Sequence, residues 1–430
     1  MNKLIVSASL VTLGATGLQA AYAPGLSPME TSKPWSVAAT LRGFYDDNYN
    51  LAPSHSTVTA TAKSSGGFEV SPSAKLNLSM EQTYIGIGAV YSLKYYFDRP
   101  RPKDDNQIEL TLKADHRFSQ QYKVSFDDSF VYAVEPEVAG TTLSSFQKQN
   151  TGYLRNRGKI DFRGQFTELL GFDASYGNTW YDYLASEVDG SLPAALNRFE
   201  HLFDVSLTWQ AQEHLIGYLG YQFGIFDYTS DKFVVNPTTV PDPQRGTDRD
   251  NKSHSFYVGA DYGFTSQLSA SAKVGYQYTT YDQLSGTQSN PYADLRGTYT
   301  YLPGSFLQFG LTYTRNATDQ VGTGSAAGIV RDQESATVFA SLTHRITARI
   351  TGNANITYQR SVDNGGIDAT TGKSLDGSTD NYVLLSLNLQ YRINNNWSTE
   401  IGYNLDNLDS DVHDRSFTRN RVYAGVTANF

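Results

Sequence analysis

The sequence predicts an all-β fold: a single transmembrane antiparallel up-and-down β-barrel of about 18 strands, with 16 as the alternative, following a cleaved signal peptide. Three observations predict it. Side chains alternate apolar and polar with a period of two over runs of ten residues or more, short turns alternate with long loops, and the composition suits no packed soluble core. The 430 residues include 30 Tyr, 22 Phe and 4 Trp, 13% aromatic in all, while charged residues make up only 18%, below the roughly 25% of an average soluble domain. With no Cys, disulfides, thiolate nucleophiles and Cys-bound zinc are excluded. The net charge of −9 argues against a nucleic-acid partner, because neutralising phosphates needs clustered Lys and Arg.

At the N-terminus, Lys3 precedes an uncharged stretch from Leu4 to Leu18, and small residues follow at Ala20, Ala21 and Ala23. This is the layout of a secretory signal peptide. The stretch is shorter than the roughly 20 residues of a spanning helix. The expected organisation is therefore a signal peptide over 1–21, a periplasmic segment over 22–34 and an outer-membrane barrel over 35–430.

The strand signal is illustrated by Phe199, His201, Phe203, Val205, Leu207 and Trp209 on one face, against Glu200, Leu202, Asp204, Ser206 and Thr208 on the other. Val383, Leu385, Leu387, Leu389 and Tyr391 oppose Leu384, Ser386, Asn388, Gln390 and Arg392 in the same way. Such runs exceed the 5 to 6 residues common in soluble sheets and match the roughly 9 to 11 needed to cross a bilayer core at a tilt. Strands are expected near 35–47, 66–79, 83–97, 106–118, 121–133, 153–165, 170–183, 197–210, 214–228, 253–264, 267–281, 291–302, 306–315, 333–346, 349–360, 381–393, 397–405 and 416–430. Pro72 lies inside the second, at odds with a central strand position. Short turns such as 80–83, 118–121 and 394–396 alternate with long connections rich in Gly, Ser, Asp and Asn, including 229–252, 361–380 and 406–415. A β-propeller of similar repeat length packs four short strands into each repeat; here each repeat holds two long ones.

The last residues, Arg421 to Phe430, alternate Val422, Ala424, Val426 and Ala428 and end on an aromatic. They resemble the C-terminal strand of bacterial outer-membrane proteins that the barrel-assembly machinery reads, which implies an assembly signal at Tyr423, Val426 and Phe430. The whole mature chain, and Arg42-Gly43-Phe44-Tyr45-Asp46-Asp47-Asn48 in particular, resembles the putative β-barrel porin 2 family. That resemblance implies a passive or polysaccharide-associated channel, embedded in outer-membrane lipid and lipopolysaccharide, with no cofactor.

Lys or Arg facing lipid at the midplane costs about 2 to 4 kcal/mol, so charges should sort inward. The register assigns the lumen a basic ladder, Arg155, Arg157, Lys159 and Arg163, flanked by Lys113, Arg117 and Lys123, with Glu109, Asp115, Asp127 and Asp161 beside it. Two readings stay open: a wall laced by salt bridges, or a path for anions and acidic sugars. Asp128 falls in the lipid-facing register between Phe126 and Phe130. Girdle aromatics are expected at Tyr122, Trp209, Trp397 and Phe430 on one rim, and at Tyr45, Tyr95, Tyr132, Tyr278 and Tyr313 on the other.

Nothing in the sequence places a nucleophile, base and orienter together, and no His-Glu-x-x-His spacing occurs, so neither an enzyme nor a resident metal is expected. The remaining candidates for such chemistry are a loop trio, Asp411, His413 and Asp414, and a calcium site near Asp406, Asp409 and Asp411. A barrel of this size encloses water by default, which makes a channel for small polar solutes or sugars the leading expectation. An exopolysaccharide exit channel and a plugged structural or adhesive barrel are the alternatives. The loop 242–250 is long enough to fold into the lumen as a constriction, although a solvated surface loop is the more ordinary reading.

Overall fold

The computed structural model describes residues 34–54, 61–134, 152–234, 244–283, 287–316, 330, 332–367 and 373–430. The expected signal peptide, and the segment after it up to Lys33, lie outside the described residues. The strands are β1 (Trp35–Asp46), β2 (Ser65–Ser79), β3 (Thr83–Tyr96), β4 (Asp104–Arg117), β5 (Tyr122–Ala133), β6 (Tyr153–Gln165), β7 (Leu170–Tyr183), β8 (Arg198–Gln212) and β9 (Leu215–Tyr228) in the first half. The second half holds β10 (Asn251–Gly263), β11 (Leu268–Tyr281), β12 (Thr287–Leu302), β13 (Ser305–Asn316), β14 (Asp332–Arg345), β15 (Ile350–Asn364), β16 (Thr379–Arg392), β17 (Trp397–Ser410) and β18 (Phe417–Asn429). A short helix α1 (Leu192–Leu196) interrupts the β7–β8 connection, and a 3₁₀ turn, Gly246–Arg249, the β9–β10 connection.

Each strand pairs antiparallel with its neighbour in sequence, and β1 closes on β18 from Ala38↔Asn429 to Asp46↔Arg421. The result is an 18-stranded barrel with no open edge. No described helix is long and apolar enough to cross a membrane. Pro72 lies within β2 after all. It pairs with Ala39 of β1, while the ladder to β3 breaks between Val70↔Leu93 and Ser73↔Val90, as a residue without an N–H requires. Several strands run further toward the long loops than the hydropathy pattern suggests: β12 starts at Thr287, β15 reaches Asn364 and β17 reaches Ser410. These extensions carry Gln, Asn, Asp and Ser on both faces. The backbone ladder continues there without the apolar alternation that marks a strand in lipid.

The two faces separate as the period of two demands. Outward residues include the exposed Val205, Leu207 and Trp209, Val274, Tyr276 and Tyr278, and Leu387, Leu389 and Tyr391. The other register is concave, because its side chains meet across an intervening strand. Arg42 on β1 reaches Glu400 on β17, Tyr257 on β10 reaches Asp204 on β8, and Tyr218 on β9 reaches Ser271 on β11. At each crossing the strand beneath carries glycine. A Cβ at Gly220 would lie 2.1 Å from the Tyr257 ring, and one at Gly425 would lie 2.7 Å from Arg42 Cγ. Bare backbone under a flat ring is a device that fixes register in curved sheets.

The outer face carries a repeat that hydropathy does not reveal. In hairpin after hairpin, an outward Tyr on the odd strand bonds a polar side chain two residues beyond its direct partner on the next strand. The pairs are Tyr91–Asn106 (2.6 Å), Tyr176–His201 (2.9 Å), Tyr221–His254 (2.7 Å), Tyr276–Ser289 (3.0 Å), Tyr313–Glu334 (2.7 Å), Tyr358–Asn381 (2.9 Å) and Tyr403–Asn420 (2.7 Å). In the β5–β6 hairpin Asp128 occupies the tyrosine's place and accepts from Asn156 Nδ2, 3.1 Å from each carboxylate oxygen. The outward Asp128 is thus a member of this polar girdle.

Candidate functional site

The closed barrel gives the described strands one inward register that lines a lumen, and its wall differs from side to side. The inner faces of β4, β5 and β6 bring together all ten predicted pore-lining residues. Lys123 meets Asp115 at 2.8 Å, Lys159 meets Asp161 at 2.6 Å, Arg163 meets Asp173 at 2.7 Å, and Lys113 lies 3.8 Å from Asp127. Arg155 is buried and donates to Ser129 Oγ at 3.3 Å. Arg157 stands opposite Ser129 and Thr179, Glu109 opposite Val90 and Val131, and Arg117 opposite Lys123. The arrangement is that of a wall laced by ion pairs. Exposed pairs of this kind each contribute roughly 0 to 1 kcal/mol, so their role is to line water more than to hold strands.

Nine strands away, on the opposite side of the ring, the inner faces of β13, β14 and β15 are uncharged between Thr314 and Phe306, between Gln333 and Thr343, and between Ser361 and Thr351. Hydroxyls and amides such as Thr312, Ser341, Asn353, Asn355 and Gln359 stand there instead. The lumen is therefore two-faced: ion-paired around β5 and neutral around β14.

A third region joins the ends of the chain. Arg42 bonds Glu400 at 2.5 Å and Glu69 at 3.2 Å, while Arg419 and Arg421 each reach the fully buried Asp46 carboxylate at 2.8 Å. Asn388 donates to Glu400 and to the Tyr423 hydroxyl, both at 3.0 Å. This network crosses the β1–β18 seam. Of the three residues of the expected assembly signal, Tyr423 faces the lumen, whereas Val426 and Phe430 are exposed on the outer face.

Toward the long loops, connections turn inward. Leu192, Ala195 and Leu196 of α1 pack with Val234 against Val131, Ala133, Tyr153, Tyr181 and Tyr183 from the inner wall of β5–β7. Ser191 caps the helix by accepting from Ala194 N. Of the loop 242–250, the described residues 244–250 turn inward rather than lying as a solvated surface loop: Arg249 is fully buried, stacks 4.4 Å from the Tyr228 ring and donates to Ala195 O at 2.8 Å. Residues 242 and 243 lie outside the described residues. On the other side, Tyr49 and Leu51 of the β1–β2 connection pack against Phe44, Tyr96 and Tyr423, and against Tyr382, Leu384, Leu408 and Phe417, respectively.

Two sequence candidates are not assembled. Asp406 and Asp409 belong to β17 rather than to a loop, and alternation puts them on opposite faces, with Asp406 turned to Arg419. Asp411 instead accepts from the Thr379 N–H and hydroxyl, which hold its carboxyl below the usual range. Among the described residues no group of three or more His, Asp or Glu is placed to hold a metal. His413 lies 3.2 Å from Asp414, while Asp411 is engaged with Thr379.

A closed barrel with a wet wall and an apolar exterior is matched, over residues 37–430, by the family model described as putative beta-barrel porin 2. The chain belongs to this family. As a porin 2 barrel it is an outer-membrane β-barrel of a porin family, in keeping with its eighteen strands and lipid-facing girdle. No curated protein matches its sequence. Among solved structures it is similar to a G324V mutant of the ferric enterobactin receptor of Pseudomonas aeruginosa, at 9% identity over 92% of this chain and 80% of that one, with a TM-score of 0.44. It is similar also to OccAB4 of Acinetobacter baumannii, at 13% identity over 93% of this chain and 99% of that one, with a TM-score of 0.44. What sequence reading of this porin 2 barrel missed was the seam network and the α1–Arg249 contact. Both join residues far apart in the chain, and only the register brings them within reach.

Proposed function

We propose that this porin 2 barrel is a passive channel for small polar solutes or sugars across the outer membrane, and that it carries no catalytic machinery. The observation that carries the reading is the polar wall: ion pairs around β5 facing hydroxyls and amides around β14. Barrels of 16 to 18 strands are wide enough to leave such a water column. Lipid and lipopolysaccharide would contact the exposed apolar register, and the barrel-assembly machinery would read the strand that ends at Phe430. The test is reconstitution of the mature protein into planar bilayers and liposomes. A steady open current, with swelling of liposomes in small sugars, is the expected result; a barrel that passes neither is not a channel.

A further inference from the structure

We infer that Arg249 is a positioning residue of this channel: it latches the described stretches of the β9–β10 connection, 229–234 and 244–250, onto α1 of the β7–β8 connection, so that these form one lid over the β5–β7 side of the lumen. The inference rests on the channel reading above. α1 has only one turn, and its last carbonyls have no partners within the helix. Two guanidinium groups supply them. Arg249 Nη1 donates to Ala195 O at 2.8 Å, and Arg198 Nη1 to Leu196 O at 3.1 Å. Each of these arginines lies over a tyrosine ring of the inner wall, Arg249 over Tyr228 and Arg198 over Tyr181, at 4.4 and 4.3 Å.

The loops also touch backbone to backbone. A Cβ at Gly246 would fall 2.4 Å from Ala194 O, so only glycine lets the 3₁₀ turn approach the helix this closely. Gly190 N donates to Phe233 O at 2.8 Å, Phe233 N to Asp189 Oδ1 at 3.0 Å, and Ser230 Oγ to Glu187 Oε1 at 2.5 Å. The apolar side of α1 packs on β5–β7, whereas among the described residues of the β9–β10 loop Val234 alone joins that cluster. The loop's attachment is therefore mainly polar, and Arg249 is the contact that reaches the end of α1 itself, beside the bonds at Gly190, Asp189 and Glu187. Charge-assisted hydrogen bonds of this sort are stronger than neutral ones, and a planar guanidinium that both stacks and donates has no Lys equivalent.

Single-channel recording of wild type, Arg249→Ala, Arg249→Lys and Arg198→Ala tests this, with heat-modifiable gel migration reporting that each barrel is folded. Arg249→Ala is expected to raise the open conductance at least twofold and to add flicker, with Arg249→Lys in between. The chain has no Cys, so Glu187→Cys with Ser230→Cys, placed in the Arg249→Ala background and bridged by a short reducible bis-thiosulfonate, joins the two loops and nothing else. Bridging is expected to return the conductance to the wild-type level, and dithiothreitol to raise it again. A folded Arg249→Ala barrel with wild-type conductance overturns the inference, as does an elevated conductance that bridging leaves unchanged. Absence of current in wild type and in every variant instead overturns the channel reading. Current in Arg249→Ala alone, with wild type closed, supports the latch in its strongest form.

Discussion

Asp128 would be out of place on a lipid-facing strand if it stood alone. It stands in a row of seven tyrosines, each clasped to a polar side chain on the following strand, and it meets Asn156 with the same diagonal offset. The clasp satisfies an amide that acyl chains cannot, and an unsatisfied buried polar group costs about 1 to 3 kcal/mol. Asp128→Tyr is therefore expected to keep the clasp and to match or exceed wild type in thermal unfolding in detergent. Asp128→Leu, which strands the Asn156 amide, is expected to lower the unfolding temperature, and the double change Asp128→Leu with Asn156→Val to restore most of the loss. Equal melting of all three would show that the clasp contributes nothing. The Asp46 carboxylate is a second single-residue test. It is fully buried between Arg419 and Arg421, and removing one partner of a buried ionic cluster typically costs about 3 to 5 kcal/mol. Asp46→Ala is expected to open the β1–β18 seam at a lower temperature than wild type, read as earlier loss of the compact band on an unheated gel.

The lid's root at Asp250, in the connection before β10, is sensitive to pH. Its carboxylate accepts from Tyr228 N at 2.7 Å. Burial, then the nearby carboxylates of Asp227, Asp282 and Asp248, nevertheless push its carboxyl up to about 6. Lys252 answers Asp282 at 3.0 Å. An ordinary Asp titrates near about 3.9, so between those values the ordered loop holds the proton more tightly than the disordered one. The stabilisation is complete below the lower value and is lost as pH rises through 6. Hydrogen exchange in residues 244–250 is expected to be slower, relative to intrinsic rates, at pH 4.5 than at pH 7.5, and Asp250→Asn to flatten that difference. Exchange protection that rises with pH in wild type would contradict the assignment. The same region shows what sequence reading reaches. The strands were legible because lipid on one side and water on the other force a period of two, and the turn at 394–396 was legible from its Asn run. The strand ends at Thr287, Asn364 and Ser410 were not, since above the lipid both faces are wet and the pattern fades. The tyrosine clasps were hidden too. The spacing from Tyr to partner runs from 13 to 33 residues as loop length varies, so only pairing register exposes them.

For the molecule as a whole, the overall charge of −9 is a poor guide to what the channel admits, because permeating ions respond to the wall they pass. The inner faces of β4–β6 carry seven cations, Lys113, Arg117, Lys123, Arg155, Arg157, Lys159 and Arg163, against five carboxylates, Asp105, Glu109, Asp115, Asp127 and Asp161. Asp173 on β7 offsets one more. The ladder, which the sequence left open as a salt-laced wall or an anion path, is thus nearly balanced by its neighbours, and the opposite wall around β14 adds neutral dipoles. The expected selectivity is a weak preference for anions that depends on screening. The Debye length is about 10 Å at 0.1 M and about 3 Å at 1 M, so in a wide water column the preference should fade as salt rises. Reversal potentials across a KCl gradient are expected to carry the sign of anion preference at low salt and to approach zero drive from the wall near 1 M. Lys159→Gln with Arg163→Gln leaves five cations facing at least five carboxylates and is expected to remove the preference or turn it toward cations. A cation preference in wild type at low salt would mean that the wall of β4–β6 does not face the permeating path, and that ions pass along the neutral side, where Asn353 and Asn355 stand.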